Sequence, residues 1–134
     1  MKLEFSEEGD KVLSFWEPTP EYQGFTGVLH GGIQATLLDE IGGWAIMVKL
    51  GTAGVTSKME VKYRRPVRVD EGPIRLEAVV SSNAGRLATL QCSVHNAADQ
   101  LCTEAIIEYY LFNEERARKE LYYPGKMAFF SNSE

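Results

Sequence analysis

Residues 56–65 alternate strictly, with Met59, Val61 and Tyr63 on one side and Lys58, Glu60 and Lys62 on the other. That two-residue period predicts a half-buried β-strand, which Pro66 stops or marks as an edge. The same period returns twice: Ile74, Leu76, Ala78 and Val80 define one inward face, and Ala88, Leu90, Cys92 and Val94 the next. Residues 101–112 are apolar on both sides apart from Glu104 and Glu108, which suits a central or interface strand. Short turns at Asp70-Glu71-Gly72, Asn83-Ala84-Gly85 and Ala97-Ala98-Asp99 separate these runs, so consecutive strands are expected to pair as an antiparallel meander. At the start of the chain, residues 2–5 and 12–16 flank Glu8-Gly9-Asp10 and predict a hairpin.

Between the hairpin and the later strands the pattern changes. Pro18, Pro20, Gly24 and Gly27 punctuate a loop over residues 17–29. A helix is then predicted from Gly31 or Gly32 to about Leu50, ended by Gly51 and Gly54. With side chains advancing about 100° per residue, Ile33, Leu37, Ile41, Trp44 and Val48 form one stripe that should face the chain's own sheet. Asp39 falls nearly opposite, with Ala35, Gly42, Gly43 and Ile46. Glycines inside a helix cost roughly 1 kcal/mol each relative to alanine, so close approach of a second helix, most economically from another copy of the chain, is expected on that side.

One long helix and five or six strands make an α+β layout, an antiparallel sheet folded over a central helix. The hairpin at 1–16 and a core at 17–112 are expected to form a single domain, with 113–134 as a C-terminal extension. That extension opens with the charged, helix-like run Glu114-Glu115-Arg116-Ala117-Arg118-Lys119-Glu120 and closes with Tyr122, Tyr123, Pro124, Met127, Phe129 and Phe130. It reads as a solvated helix with a docked or frayed tail, or as a lid over a ligand groove.

Composition narrows the partners more than the fold. A chain of 134 residues, 44% hydrophobic and 25% charged, has room for one ordinary domain. Its net charge of -5 argues against bulk nucleic acid or an anionic membrane as partner. The first residues lack an uninterrupted apolar stretch, and the longest apolar run of the helix, residues 44–48, is far below spanning length; the expectation is a soluble, unexported, cytoplasmic protein. Cys92 and Cys102 lie in apolar runs and read as buried free thiols, with no Cys/His cluster to hold zinc.

The candidate chemistry lies at the start and middle of the helix. Asp39 and Glu40 are the only charged residues between Ile33 and Val48, and an acid in an apolar run needs a partner or a task. Glu40, toward Thr36, Trp44 and Met47, reads as a surface or supporting carboxylate. His30-Gly31-Gly32 stands where the first helical N–H groups lack intrahelical acceptors and the macrodipole is positive. Such a start can receive a developing oxyanion, and glycines let a carbonyl oxygen approach the donors. At 1.5 Å rise per residue, Asp39 lies roughly 10 to 12 Å along the axis from the glycine amides of its own chain. Two copies packed helix against helix in antiparallel fashion would bring each Asp39 to the other's glycine turn, giving two equivalent composite sites.

The run Tyr22-Gln23-Gly24-Phe25-Thr26-Gly27-Val28-Leu29-His30-Gly31-Gly32, followed by Thr36-Leu37-Leu38-Asp39-Glu40, resembles the PaaI-like branch of the hotdog-fold acyl-CoA thioesterases, and the resemblance covers roughly residues 17–112. It implies a hotdog dimer, commonly paired again into a tetramer, with an acyl-CoA thioester lying across the subunit interface. It also implies hydrolysis to free acid and coenzyme A, with coenzyme A entering only as part of the substrate and no metal or other cofactor. On that resemblance, Gly31 donates its N–H to the thioester oxygen, His30 shapes and polarises the turn, and Gly32 contacts the substrate beside it. Asp39 acts as general base or nucleophile, and Gln23 positions water or the leaving thiolate. Gln23 stands seven residues before His30, where some members have six, so the loop is one residue longer. Thr56 matches an assisting Ser/Thr, although strict strand parity puts it on the Lys58 side.

Arg64 and Arg65, with Arg68, Lys58 and Lys62 nearby, suit the phosphates of coenzyme A; a solvated basic strand edge explains them equally. Two other functions use the same residues. One is a non-catalytic acyl-CoA sensor in which residues 113–134 report occupancy. The other is a hotdog dehydratase or hydratase, which needs a histidine and a carboxylate working on C–H and C–O bonds; His95 is the only other histidine and lacks that family's surrounding pattern. The acyl group, whether aromatic, hydroxyaromatic or medium-chain fatty, is left open.

Overall fold

A glycine sets the first hairpin. Glu8 pairs with Lys11, so Gly9 and Asp10 alone make the turn, with Gly9 at a φ of 63° where a side chain would be strained. In the computed structural model, which describes residues 3–112, β1 (Phe5–Glu8) and β2 (Lys11–Trp16) form this hairpin. Among the described residues pairing begins at Phe5, and Leu3 before it is buried in the core. Phe5 stacks on Trp44 with ring centroids 4.1 Å apart. Lys49 Nζ donates to Glu7 Oε1 and to the Gly9 carbonyl, each at 2.8 Å. Rings and charge thus fasten the hairpin to the far end of the helix. The extension expected at 113–134 lies outside the described residues.

The helix α1 (Gly31–Ala45) continues through a wider π-helical turn over Ile46–Leu50 and stops at Gly51, whose φ of 68° is left-handed. Four strands follow: β3 (Gly54–Tyr63), β4 (Ile74–Ala84), β5 (Leu87–His95) and β6 (Leu101–Leu111). All six strands join one antiparallel sheet in the order β1-β2-β4-β5-β6-β3. The inward positions predicted for β4 and β5, including Leu76, Ala78, Leu90 and Val94, are buried against the helix residues Leu37, Leu38, Ile41 and Ala45. Each such leucine or isoleucine removed from water contributes about 1.5–3 kcal/mol.

Two expectations need correction. The meander holds for β4, β5 and β6 but not for β3, which pairs with β6 at the sheet's end while β4 pairs with β2. Residues 64–73 are a crossover whose backbone bonds go elsewhere: Arg64 and Arg65 N–H donate to the Cys102 carbonyl, Leu29 N–H to Val67, and Val69 N–H to Gly27. The crossover therefore braces the loop before the helix, and Asp70-Glu71-Gly72 merely delivers the chain to β4. The helix is also rotated from its expected setting. Ile33 and Trp44 are half-buried, while Gln34, Leu38, Gly42 and Ile46 are buried. The Tyr109 hydroxyl occupies the space a Cβ on Gly42 would need, so Gly42 faces the chain's own β6 rather than a partner helix.

Candidate active site

The loop before the helix is held by its own polar groups. Gly24 N–H donates to the Val28 carbonyl and Val28 N–H to that of Phe25, each at 2.9 Å. Gln23 Oε1 accepts the Gly27 N–H at 2.8 Å. Phe25, at the tip, is 86% exposed. The expected place of Gln23 beside a thioester thus reduces to its amide nitrogen, which has no partner among the described residues. Its oxygen is committed to closing the loop. His30 is anchored by its N–H to the Tyr22 carbonyl at 2.9 Å, and Tyr22 in turn packs on Trp16.

His30 caps the helix. Its Nδ1 accepts the Gly32 N–H at 2.8 Å, which puts the proton of the neutral ring on Nε2. The Gly32 N–H is occupied by the cap, so a contact of Gly32 with substrate would not run through that donor. The Gly31 N–H has no acceptor among the described residues, and it is the donor a carbonyl oxygen would meet at this dipole-positive end. The Gly31 carbonyl accepts from Tyr63 Oη at 2.7 Å, and a Cβ on Gly31 would stand 3.3 Å from the Tyr63 ring. Buried Gln34 ties this helix start inward through the Leu29 carbonyl and Thr103. Cavities of about 380 and about 360 Å³ flank His30, one along Tyr22, Ile33 and Thr36, the other along Phe25, Leu29 and Gly31.

Asp39 sits one face away from its expected position. It is half-buried on the flank that meets β3 and β6, not opposite the sheet. Ile46 and Gly42, expected to share its outward face, are inside the chain's own core, whereas Gly43 borders open space. Asp39 Oδ1 accepts from Thr56 Oγ1 at 2.7 Å and from Tyr109 Oη at 2.9 Å. Thr56 reaches it because the β3–β6 register shifts between Thr56 and Lys58, leaving Ser57 as an extra residue. The bulge reverses strand parity, so Thr56 opposite Tyr109 shares the face of Met59 opposite Ile107. Behind the acid, the Cys92 thiol is pushed up to about 12, by burial first and the Asp39 charge second; it is an inert thiol.

The basic residues separate. Arg64 is paired with Glu104, and Arg65 is exposed. Arg68, whose Nε lies 3.4 Å from Asp70 Oδ1, spreads its guanidinium over Gly27, where a Cβ would come within 2.7 Å of it. Of these cations, Arg68 packs against the loop leading to His30. Sequence periodicity carried no sign of Tyr109, Tyr63 or Gln34 as site-building residues. A tyrosine on an inward strand face must find a partner for its hydroxyl, but nothing in the spacing says which.

The chain spans 63% of the length of human acyl-coenzyme A thioesterase 13, with 32% identity over 89 residues that make up 66% of this chain. The zebrafish thioesterase superfamily member 2 superposes with a TM-score of 0.75 and 29% identity, covering 83% of this chain and 82% of that one. A Streptococcus mutans protein, solved bound to acetyl CoA, has the same fold at a TM-score of 0.76 and 18% identity, covering 85% and 91% of the two chains. Residues 26–103, from the loop before His30 to the start of β6, match the family model of the thioesterase superfamily, and the chain belongs to that family, with its hotdog fold of one long helix on an antiparallel sheet.

Proposed function

We propose that the protein is an acyl-CoA thioesterase of the PaaI-like kind, hydrolysing its substrate at sites shared between two copies of the chain. One observation carries this reading: a Gly31 N–H without an acceptor among the described residues and a braced Asp39 carboxylate stand eight residues apart on one continuous helix, roughly 12 Å by helical rise. They are the two parts that thioester hydrolysis needs, and a single chain keeps them too far apart to serve one carbonyl. β3 adjoins both, with Tyr63 at Gly31 and Thr56 at Asp39, and its outer edge has no strand beside it among the described residues. A long unpaired edge invites another strand. Two β3 edges pairing antiparallel about a two-fold axis, with the Tyr63 of each copy opposite the Thr56 of the other, set each Gly31 beside the opposite Asp39.

In such a site Asp39 takes a proton from water as the water oxygen bonds to the thioester carbon. The carbonyl oxygen becomes an oxyanion held by the Gly31 N–H. The C–S bond then breaks, and the departing thiolate takes the proton back from Asp39. Free acid and coenzyme A result, with the carboxylate regenerated. Arg68, whose guanidinium lies over Gly27 in the loop before His30, and exposed Arg65 are the cations we assign to coenzyme A phosphates. The names of the human and zebrafish relatives and the acetyl CoA held by the Streptococcus mutans protein support the substrate class. No helix among the described residues is long and apolar enough to cross a membrane.

Mixing Asp39→Asn protein with Gly31→Ala protein tests the shared site. Randomly exchanged dimers leave one intact site in each mixed pair, so thiol release from acyl-CoAs should recover to about a quarter of the wild-type level. No recovery after demonstrated subunit exchange refutes the composite site. Tight acyl-CoA binding without thiol release at any chain length would instead make the protein a sensor.

A further inference from the structure

We propose that Tyr109 is a positioning residue for Asp39: its buried hydroxyl, admitted by the missing side chain at Gly42, holds Oδ1 together with Thr56 and leaves Oδ2 as the oxygen that handles protons. The inference rests on the thioesterase reading above and adds to it a residue, and a choice of oxygen.

Tyr109 is 2% exposed, and a buried phenol without an acceptor would be costly. Both of its acceptors belong to one residue: Asp39 Oδ1 at 2.9 Å and the Asp39 backbone carbonyl at 3.0 Å. A donor straddling the main chain and side chain of one residue restricts the rotation that connects them. Thr56 Oγ1 reaches the same Oδ1 from β3. Two strands therefore hold one carboxylate oxygen, and Oδ2 has no partner among the described residues.

Gly42 lies three residues beyond Asp39, on the neighbouring turn of the same helix face. A side chain there would take the space of the Tyr109 hydroxyl. Glycine within a helix is disfavoured by roughly 1 kcal/mol relative to alanine, and the room it leaves is filled by one of the two hydroxyls that hold the acid. Burial, and next the Asp39 charge, push the Tyr109 hydroxyl well above the usual phenol range, so it stays protonated as a donor and does not shuttle protons itself.

The test is a set of variants assayed for thiol release from acyl-CoAs. Tyr109→Phe keeps the ring and removes the donor; kcat should fall roughly 10- to 100-fold with KM little changed, as expected when a reacting group loses its alignment. Gly42→Ala should reproduce that loss and add little to it in the Tyr109→Phe background. In an Asp39→Asn background, Tyr109→Phe should change residual turnover less than about two-fold, whereas a purely structural role would carry its full penalty there. An undiminished kcat in Tyr109→Phe, or a full penalty without the acid, overturns the inference. Should the wild type hydrolyse no acyl-CoA, the functional reading fails separately, and alkaline ultraviolet titration still decides the pair. One tyrosine should resist ionisation in wild type and yield earlier in Asp39→Asn; identical titrations overturn the link.

Discussion

Tyr63 Oη donates to the Gly31 carbonyl at 2.7 Å, tying the last residue of β3 to the first of the helix. The bond holds the Gly31–Gly32 peptide, and a Cβ on Gly31 would stand in tight contact with the ring, 3.3 Å away. Gly31→Ala should therefore press on the ring and obstruct the free N–H, lowering kcat about 10²- to 10³-fold, the usual cost of an oxyanion donor. Tyr63→Phe, which keeps the ring, should cost less than Gly31→Ala. Steady-state thiol release checks both, with thermal unfolding to confirm that the fold survives.

Thr56 gives a second expectation, because its contact with Asp39 depends on the bulge at Ser57. Thr56→Ser keeps the donor and should retain most of the turnover, while Thr56→Val, nearly the same shape without the hydroxyl, should lose roughly ten-fold, the worth of a hydrogen bond of 1–2 kcal/mol. Equal turnover in the two variants would remove Thr56 from the site.

Arg68 lies against the loop that leads to His30, and phosphate recognition predicts a selective effect. Arg68→Ala should raise KM for acyl-CoA roughly three- to ten-fold, the range of an exposed charge-assisted contact. It should leave KM unchanged for the matching acyl thioester of N-acetylcysteamine, which carries no phosphate. Equal effects on both substrates would assign Arg68 to loop packing over Gly27.

Acid should weaken the fold through groups away from the site. On β4, Glu77 meets Arg75 and, from β2, Lys11, while on β5 His95 Nε2 lies 3.7 Å from Glu77 and 3.0 Å from Ser93 Oγ. Burial alone would raise Glu77, but hydrogen bonds and charge from Arg75 and Lys11 outweigh it and hold the carboxyl below its ordinary range. Burial, then the Arg75 charge, lowers His95 despite Glu77 and Asp99. Both groups bind protons more readily in the unfolded chain, so stability falls as the pH is lowered. His95 contributes its loss from its ordinary value of 6.5 downward, and Glu77 from 4.5 downward. Melting temperatures from about pH 7.5 to about pH 4 should decline, with the upper part flattened in His95→Gln and the lower part in Glu77→Gln.

Much of this protein was legible along the chain, because local rules act on neighbouring residues. Gly9 makes the hairpin turn and Gly51 ends the helix where the residues predict, each in the left-handed backbone that glycine permits. The inward faces of β4 and β5 follow the two-residue period, and the loop, His-Gly-Gly start and acid appear in order.

What the amino acids by themselves determined, then, was which segments are strands, where the helix begins and ends, and which groups could do chemistry, since backbone preference and hydrophobic period are local. The tertiary structure alone decided what those groups touch. A single extra residue at Ser57 turned Thr56 toward Asp39, the crossover at 64–73 sent β3 to β6, and the Tyr109 hydroxyl set the helix so that Gly42 faces inward. Each depends on pairings between residues distant in sequence, where the fit of one side chain or one bulge outweighs the regular period.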